Sequence, residues 1–211
     1  ELSEGTRASL VEAAIHEFAA HGFDGASTRA IAARAGVHQP QINYHFDSKL
    51  ALWRAALDHL FDELGAAIAD AIADTHDDLD VLRRSIRTIV RESARRPELN
   101  RMMVKESSVR SERLTWLTEH HVRGWFDTHV ALWDRLRDAD LVADIDALTA
   151  FYILLGGSTL LYSNSPEARL LSGEDPMHHD RIEAHADAMV TMLTRAEPVG
   201  TARRTTRRTS R

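Results

Sequence analysis

The sequence predicts an all-α fold, for three reasons. Apolar residues recur at spacings of three and four along most of the 211 residues, the pattern of helices that bury one face. No segment shows the alternation of apolar and polar residues that is typical of a half-buried strand. Hydrophobic residues make up 44% of the chain and charged residues 27%, so a sizeable core can form.

The first three predicted helices form a compact N-terminal head. Leu10, Ala14 and Phe18 share one face of the first helix, which ends at the turn 21–25. Two shorter helices follow. Ile31 and Ala32 point inward from the first of them, and Val37 and Ile42 anchor the second against it.

A tight turn joins these two short helices. Gly36 stands four residues after Ala32, where a left-handed backbone ends a helix at no steric cost for glycine. Pro40 suits the first turn of the next helix. Two short helices joined by a glycine turn are typical of a helix-turn-helix, the motif that docks one helix in the major groove of DNA.

The second helix of this motif carries the predicted base contacts. At about 100° per residue, placing Ile42 and Phe46 inward turns the polar positions outward. Glutamine and asparagine side chains can pair with an adenine edge, and proline or tyrosine can contact a thymine methyl. The predicted base readers are Gln39, Pro40, Gln41, Asn43 and Tyr44.

Five further residues of the motif have the chemistry of phosphate contacts, and Ser27 can also cap the first short helix. These residues are Ser27, Thr28, Arg29, His45 and Lys49. An ordinary α-hairpin with a polar surface remains the alternative interpretation of the motif.

Residues 27–49 resemble the tetracycline-repressor (TetR) family of bacterial transcription regulators. The resemblance rests on Thr28-Arg29, Ile31-Ala32, Gly36-Val37, Gln39-Pro40, His45-Phe46 and Lys49. Asn43 departs from the aromatic residue often found at its position, and this affects which DNA sequence is read. Beyond residue 50 the resemblance is one of architecture: about two hundred residues, helical after the motif.

The remainder of the chain is a succession of predicted helices. A long helix starts at Asp47 or Ser48 and would extend about 40 Å if it reached Asp74. Further helices are predicted around residues 79–89, at 98–107 after the break at Arg96-Pro97, over 111–137, over 144–163, and over 177–195 after a polar loop. The predicted domains are a DNA-binding head (1–50), a helical ligand-binding and dimerisation body (51–197) and a basic, disordered tail (198–211).

The resemblance implies a homodimer in which the last two long helices pair with those of a second copy. A pair of recognition helices on a twofold axis can read a palindromic operator, whereas one helix makes too few base contacts. The predicted interface residues are Leu154, Gly157, Leu161, Ile182, Ala186, Met189 and Leu193. The alternative is that these apolar stripes close the core of a single protomer.

The resemblance also implies repression that a small effector relieves. Ligand cavities are mostly apolar with few polar groups, which favours an apolar or aromatic effector. The predicted cavity residues are Trp53, Phe61, Met102, Met103, Trp116, Trp125, Phe126, Phe151, Tyr152 and Tyr162, with Lys105 and Arg123 as polar groups. Each of the apolar ones could equally be an ordinary core residue.

Charge and composition restrict the partners. The net charge is −6, yet residues 27–49 hold three cations against the single acid Asp47, and residues 198–211 hold five arginines and no acid. An acidic body would repel DNA except at a locally basic surface. The chain has no cysteine, no run of 18 apolar residues and no visible leader, from which we expect a soluble, cytoplasmic protein with no membrane partner.

The twelve histidines do not form a metal or catalytic pattern. His16-Glu17 and His21 give a spacing one residue longer than the zinc-protease motif, and neighbouring pairs such as His120-His121 diverge by about 100° on a helix. Phosphate-binding loops and nucleophile elbows are also missing from the sequence. We therefore expect no enzyme, metal or cofactor; a small helical enzyme and a helical protein-interaction module are the alternative functions.

Overall fold

The computed structural model describes residues 2–195, and these form eleven α-helices and one π-helical turn, which confirms the all-α prediction. The predicted tail at 198–211 lies outside the described residues. The helices are α1 (Leu2–Gly25), α2 (Thr28–Arg34), α3 (Pro40–His45), α4 (Lys49–Ile72), α5 (Asp78–Arg95), α6 (Pro97–Ser107), α7 (Glu112–Leu117), α8 (Arg123–Asp138), α9 (Ala147–Ser163), α10 (Ser165–Ser172) and α11 (His179–Leu193), and the π turn is Thr118–Val122.

The first hydrophobic core joins the head to the helices that follow it. Side chains from α1, α2 and α3 pack with Trp53 and Leu57 of α4, Met102 of α6 and Leu117 of α7 in one buried cluster. The predicted boundary at residue 50 therefore does not separate two hydrophobic cores.

Helix α4 is the element shared by the head and the body. Ser48 caps it by accepting a hydrogen bond from the Ala51 amide at 3.0 Å, and its 24 residues correspond to about 36 Å. The cap at Ser48 agrees with the predicted start of this helix. The helix ends at Ile72, two residues before the predicted Asp74.

The second core lies among α5, α8, α9 and α11, where Trp133 and Tyr162 are among the largest buried side chains. Four predicted interface residues are buried within the protomer and belong to this core: Leu154, Ala186, Met189 and Leu193. The apolar period does not tell which face of α9 points inward, because this helix is apolar on both faces.

Two elements differ from the predicted ones. The helix expected over 111–137 is divided into α7, the π turn and α8, because the backbone gains an extra residue in the turn 118–122. The polar loop expected before residue 177 contains α10, whose Leu170 and Leu171 are exposed. Among the described residues, no helix is long and apolar enough to cross a membrane.

An ionic cluster holds the first helix of the head against the body. Arg96, at the junction of α5 and α6, donates hydrogen bonds to Glu12 of α1 at 2.7 and 3.0 Å and to Glu63 of α4 at 2.9 Å. His59 of α4 lies 3.1 Å from the same Glu12 carboxylate. Two helices and the junction between two others therefore meet at a single guanidinium.

These ion pairs alter the pKa values of the two carboxyl groups. Hydrogen bonds from Arg96 lower the pKa of Glu12. Burial alone would raise the pKa of Glu63, but hydrogen bonds from Arg96 and Arg95 outweigh it and lower that pKa as well. Because a lowered pKa in the folded state means that the unfolded state binds more protons, these groups stabilise the fold above the ordinary pKa of about 4.5, and the stabilisation is lost as the pH falls through the lowered values.

We predict that Glu12→Gln lowers the free energy of unfolding at pH 7 by about 1 kcal/mol or less, because the pair is partly exposed. The variant should also lose less stability than the wild type on acidification from pH 5 to pH 3. Urea unfolding across this range measures both effects. The control is Glu167→Gln, at an exposed α10 residue that forms no ion pair within residues 2–195; equal acid dependence of the wild type and Glu12→Gln would contradict the assignment.

Candidate nucleic-acid interface and ligand cavity

The helix-turn-helix has the backbone that its sequence predicts. Ser27 caps α2 by accepting a hydrogen bond from the Ala30 amide at 3.0 Å. Gly36 has φ of +69°, and the amide of Val37 donates to the Ala32 carbonyl at 3.0 Å, which closes the end of α2. Pro40 occupies the first turn of α3. This geometry is a helix-turn-helix in which α3 is the recognition helix.

The inner face of the motif is fully packed. Four residues of the motif are buried in the first core: Ile31 and Ala32 of α2, Ile42 of α3, and Phe46, which directly follows α3. Since these side chains fix the rotation of α3, the opposite face is presented to solvent.

The predicted base readers all lie on that exposed face. Gln41 accepts a hydrogen bond from the His38 amide at 2.9 Å, and Gln39 donates to the Thr28 hydroxyl at 3.4 Å, so both amides already support the motif. The side chains of Asn43 and Tyr44 form no hydrogen bond to any residue from 2 to 195, and Tyr44 is 80% exposed. These two side chains are the most available for contact with bases.

The candidate phosphate contacts border the same face. Arg29 is exposed, whereas Thr28 and His45 are half-buried beside it. The ammonium of Lys49 lies 4.8 Å from the centre of the Phe23 ring and donates to the Asp24 carbonyl at 3.4 Å. Lys49 is therefore held at the start of α4 by the head itself.

The local positive charge is smaller than the sequence suggests. Arg34 forms an ion pair with Glu17 of α1 at 3.2 Å, and the Glu17 side chain is only 10% exposed. Arg29 and Lys49 are therefore the cations of the motif that remain for an approaching phosphate.

A cavity of about 120 Å³ lies between α4, α5, α6, α8 and α9. Its wall is mostly apolar, with carboxylate, hydroxyl, amide and guanidinium groups at its margin. The lining residues are Leu60, Phe61, Leu64, Ile89, Glu92, Ser93, Arg95, Arg96, Leu99, Asn100, Met103, Val122, Trp125, Phe151, Leu155 and Thr159.

Four of the predicted cavity residues line this space: Phe61, Met103, Trp125 and Phe151. The other predicted residues do not line it. Trp53, Met102 and Trp116 belong to the first core, Tyr162 is fully buried in the second, and Phe126, Tyr152, Arg123 and Lys105 lie outside the lining. Large apolar side chains identify buried regions, but a void depends on how neighbouring helices diverge.

The two predicted polar groups do not line this cavity either. Lys105 donates to the Ala20 carbonyl of α1 at 2.8 Å, and Arg123 lies on α8 outside the cavity wall. The amide at the cavity is instead Asn100, which donates to the Ser163 hydroxyl at 2.6 Å. The spacing of Leu99 and Met103, four residues apart on α6, would have indicated which face of that helix meets the cavity.

In residues 2–195 no three histidine or acidic side chains come close enough together to hold a metal ion. Burial lowers the pKa of His129, whose ring donates a hydrogen bond to the Ala147 carbonyl at 3.2 Å. His129 therefore serves the packing of α8 on α9.

The head matches a known family. Residues 10–56, which contain α2, α3 and the start of α4, match the family model described as bacterial regulatory proteins, tetR family. The N-terminal head is therefore similar in sequence to regulators of the TetR family. The match coincides with the helices whose caps, glycine turn and buried face are described above.

Relatives and solved structures extend the similarity. The chain is 36% identical over 80 residues to the HTH-type transcriptional activator FasR of Mycolicibacterium smegmatis, a region that covers 38% of this chain and 36% of FasR. The fold is similar to that of AibR in complex with isovaleryl coenzyme A and operator DNA (TM-score 0.73, 18% identity, 89% of this chain and 97% of AibR). It is also similar to the ketosteroid transcriptional regulator KstR2 of Mycobacterium tuberculosis (TM-score 0.69, 16% identity, 90% of this chain and 95% of KstR2). The chain is thus similar in sequence to a regulator over 80 residues, and similar in fold to solved regulators over about 90% of its length.

We predict that Gly36→Ala destabilises the protein by about 1–2 kcal/mol, because a residue with a β-carbon is disfavoured at the left-handed φ of +69°. Urea unfolding at one fixed protein concentration measures the effect. Gly124→Ala is the matched control: Gly124 lies in α8 with no atom within 4 Å of an added β-carbon, and the change should stabilise by up to about 1 kcal/mol. Equal stability of Gly36→Ala and the wild type would contradict the turn assignment.

Proposed function

We propose that this protein is a ligand-responsive transcription regulator of the TetR family that binds a palindromic operator as a homodimer and leaves it when a small apolar or aromatic effector binds. The observation that carries the proposal is the outer face of α3, where Asn43 and Tyr44 project from a helix whose inner face is locked in the core. A regulator of transcription works where the chromosome is, so the proposed location is the cytoplasm.

The contacts to DNA divide into two kinds. Asn43 offers both a donor and an acceptor, as an adenine edge in the major groove requires, and the Tyr44 ring can contact a thymine methyl. Arg29 and Lys49 would contact phosphates, which fixes orientation without reading the sequence. Gln39 and Gln41 would act in part by holding α3 in position, because each already has a partner within the motif.

The cavity supports a small apolar group as the part of the effector that is buried. Its volume of about 120 Å³ is somewhat smaller than that of the cavities of about 150 Å³ that bind benzene. The AibR complex contains isovaleryl coenzyme A, whose branched acyl group is of comparable size. A larger buried group would require the surrounding helices to move apart.

The homodimer would use the solvent-facing side of α9 and α11. Leu148, Tyr152, Gly156 and Leu160 follow one another at four-residue spacing on α9 and are exposed, and Met192 of α11 is 76% exposed. Of the predicted interface residues, Gly157 is exposed, and Leu161 and Ile182 are half-buried. An apolar stripe of this length on a protomer is typical of a protein interface.

Repression is the direction of control that the family resemblance implies, although the relative FasR is an activator. The direction depends on where the operator lies relative to the promoter. A reporter assay with the effector-free protein tests it: repression lowers expression, and activation raises it.

We predict that Asn43→Ala lowers the preference for specific DNA by roughly tenfold or more, since a bidentate base contact contributes about 1–3 kcal/mol. Fluorescence anisotropy with DNA from the region upstream of its gene and with scrambled DNA, at several salt concentrations, measures this preference. Affinity for the scrambled DNA should not change.

The control for this experiment is Asn164→Ala, which removes an exposed asparagine between α9 and α10. An unchanged preference in Asn43→Ala would mean that α3 does not read bases. Equal loss in both variants would show that the effect is not specific to the motif.

We predict that Leu160→Asp weakens dimerisation by about 3 kcal/mol, roughly 100-fold in Kd, because it would bury an unpaired charge. Sedimentation equilibrium measures the dissociation constant. Val104→Asp on α6 is the control, since Val104 has a similar exposure of 59% against 56% for Leu160. A Leu160→Asp protein that dimerises like the wild type would exclude this face of α9 from the interface.

A further inference from the structure

Seven aromatic rings connect the cavity to the head in an unbroken series. The pairs and their centroid distances are Trp125–Phe61 at 6.2 Å, Phe61–His121 at 4.5 Å, His121–Trp116 at 5.3 Å, Trp116–Trp53 at 5.8 Å, Trp53–Phe23 at 6.0 Å and Phe23–Phe18 at 6.0 Å. All lie within the range of direct aromatic interaction. We refer to these seven rings as the aromatic series.

We propose that the π turn Thr118–Val122, through the ring of His121, couples the occupancy of the cavity to the position of the DNA-binding head. This inference rests on the proposed function, because it assigns the route by which a ligand of the cavity changes DNA affinity.

The series begins in the wall of the cavity. Phe61 and Trp125 both line it, as does Val122 at the end of the π turn. The His121 ring lies almost parallel to the Phe61 ring, with 7° between their planes, and a nitrogen of His121 lies 2.9 Å from the Asp58 carboxylate. Because a face-to-face stack and a hydrogen bond hold His121 on α4, displacement of Phe61 by a ligand displaces the π turn.

The π turn links the cavity wall directly to α7. A π-helical turn contains one residue more than an α-helical turn, and such turns occur frequently at functional sites. The Thr118–Val122 turn joins α7 to α8 with no loop between them. A shift on the cavity side is therefore transmitted to α7 as a rigid movement.

The series ends at residues that position the DNA contacts. Trp116, one residue before the end of α7, packs on Trp53, which meets Phe23 near the end of α1. The Arg113 guanidinium of α7 lies 4.3 Å from the Phe23 ring, and the Lys49 ammonium lies 4.8 Å from it. A movement of α7 therefore reaches a ring that also supports a predicted phosphate contact.

The four tryptophans allow each step to be observed separately. In protein labelled with fluorotryptophan, ¹⁹F NMR reports Trp125 in the cavity, Trp116 in the middle of the series, Trp53 at the head and Trp133 in the second core. Trp133 is reached from the cavity through Phe151 and His129, a branch that bypasses His121. It is therefore an internal control.

Because the effector is unidentified, a larger side chain is used to fill the cavity in its place. Thr159→Phe places a ring in the cavity, and Thr128→Phe on the exposed side of α8 is the matched control, since each threonine donates only to the carbonyl four residues earlier. We expect Thr159→Phe to shift the signals of Trp125, Trp116 and Trp53. Thr128→Phe should leave Trp116 and Trp53 unchanged.

His121 decides the route. In a His121→Leu background, Thr159→Phe should still shift Trp125 and should leave the Trp133 response as it was, while the responses of Trp116 and Trp53 are lost. His121→Phe keeps a ring for the stack and should restore both responses; a residue needed only for stability would not show this rescue. Responses of Trp116 and Trp53 that persist in His121→Leu, or that never appear when Trp125 responds, would overturn the proposal.

The NMR experiment contains no DNA, so its outcome is independent of whether an operator exists. A protein that binds specific DNA but shows no response at Trp116 would remain a regulator whose coupling follows another route, such as the Arg96–Glu12 pair. If all the expected NMR responses appear but the protein binds no specific DNA, the coupling is supported and the proposed function is contradicted.

Discussion

The rest of the structure depends on the sharing of helix α4 between the head and the body. The first turns of α4 bury Trp53 and Leu57 against the head, and the following turns place Phe61 and Leu64 in the wall of the cavity. Because protein cores are close-packed, both surfaces constrain where this helix lies. The position of α3 is thereby tied to the packing of the body, and the ionic cluster around Arg96 adds a second attachment through α1.

This arrangement bears on the proposed control of the head by a small cavity. A ligand shifts the equilibrium between two conformations only by its differential affinity for them. The cavity is enclosed by α4 and α6, and these two helices also contribute Trp53 and Met102 to the core of the head. These shared helices hold the cavity and the head in one packed unit, within which the aromatic series is the proposed route of coupling.

The sequence is most informative where local backbone chemistry decides the structure. Ser27, Gly36, Pro40 and Ser48 each act within a few residues, so their caps and turn are predictable without reference to the rest of the fold. The cavity and the interface depend on tertiary packing. The inward face of α9, the divergence of helices around Phe61 and the extra residue of the π turn have no local signature, and large aromatic residues such as Trp53 and Tyr162 fill cores rather than line a void.

The central claim is that α3 reads a DNA sequence as one of a symmetric pair, and selection from random duplex DNA tests it whatever the operator sequence is. The full-length protein is incubated with the pool, bound duplexes are amplified, and the enriched sequences are aligned. We expect the enriched sequences to contain an inverted repeat whose half-sites lie about one helical turn of DNA apart, or a multiple of it. Enrichment of no sequence, or of a single half-site without its symmetric partner, would contradict it.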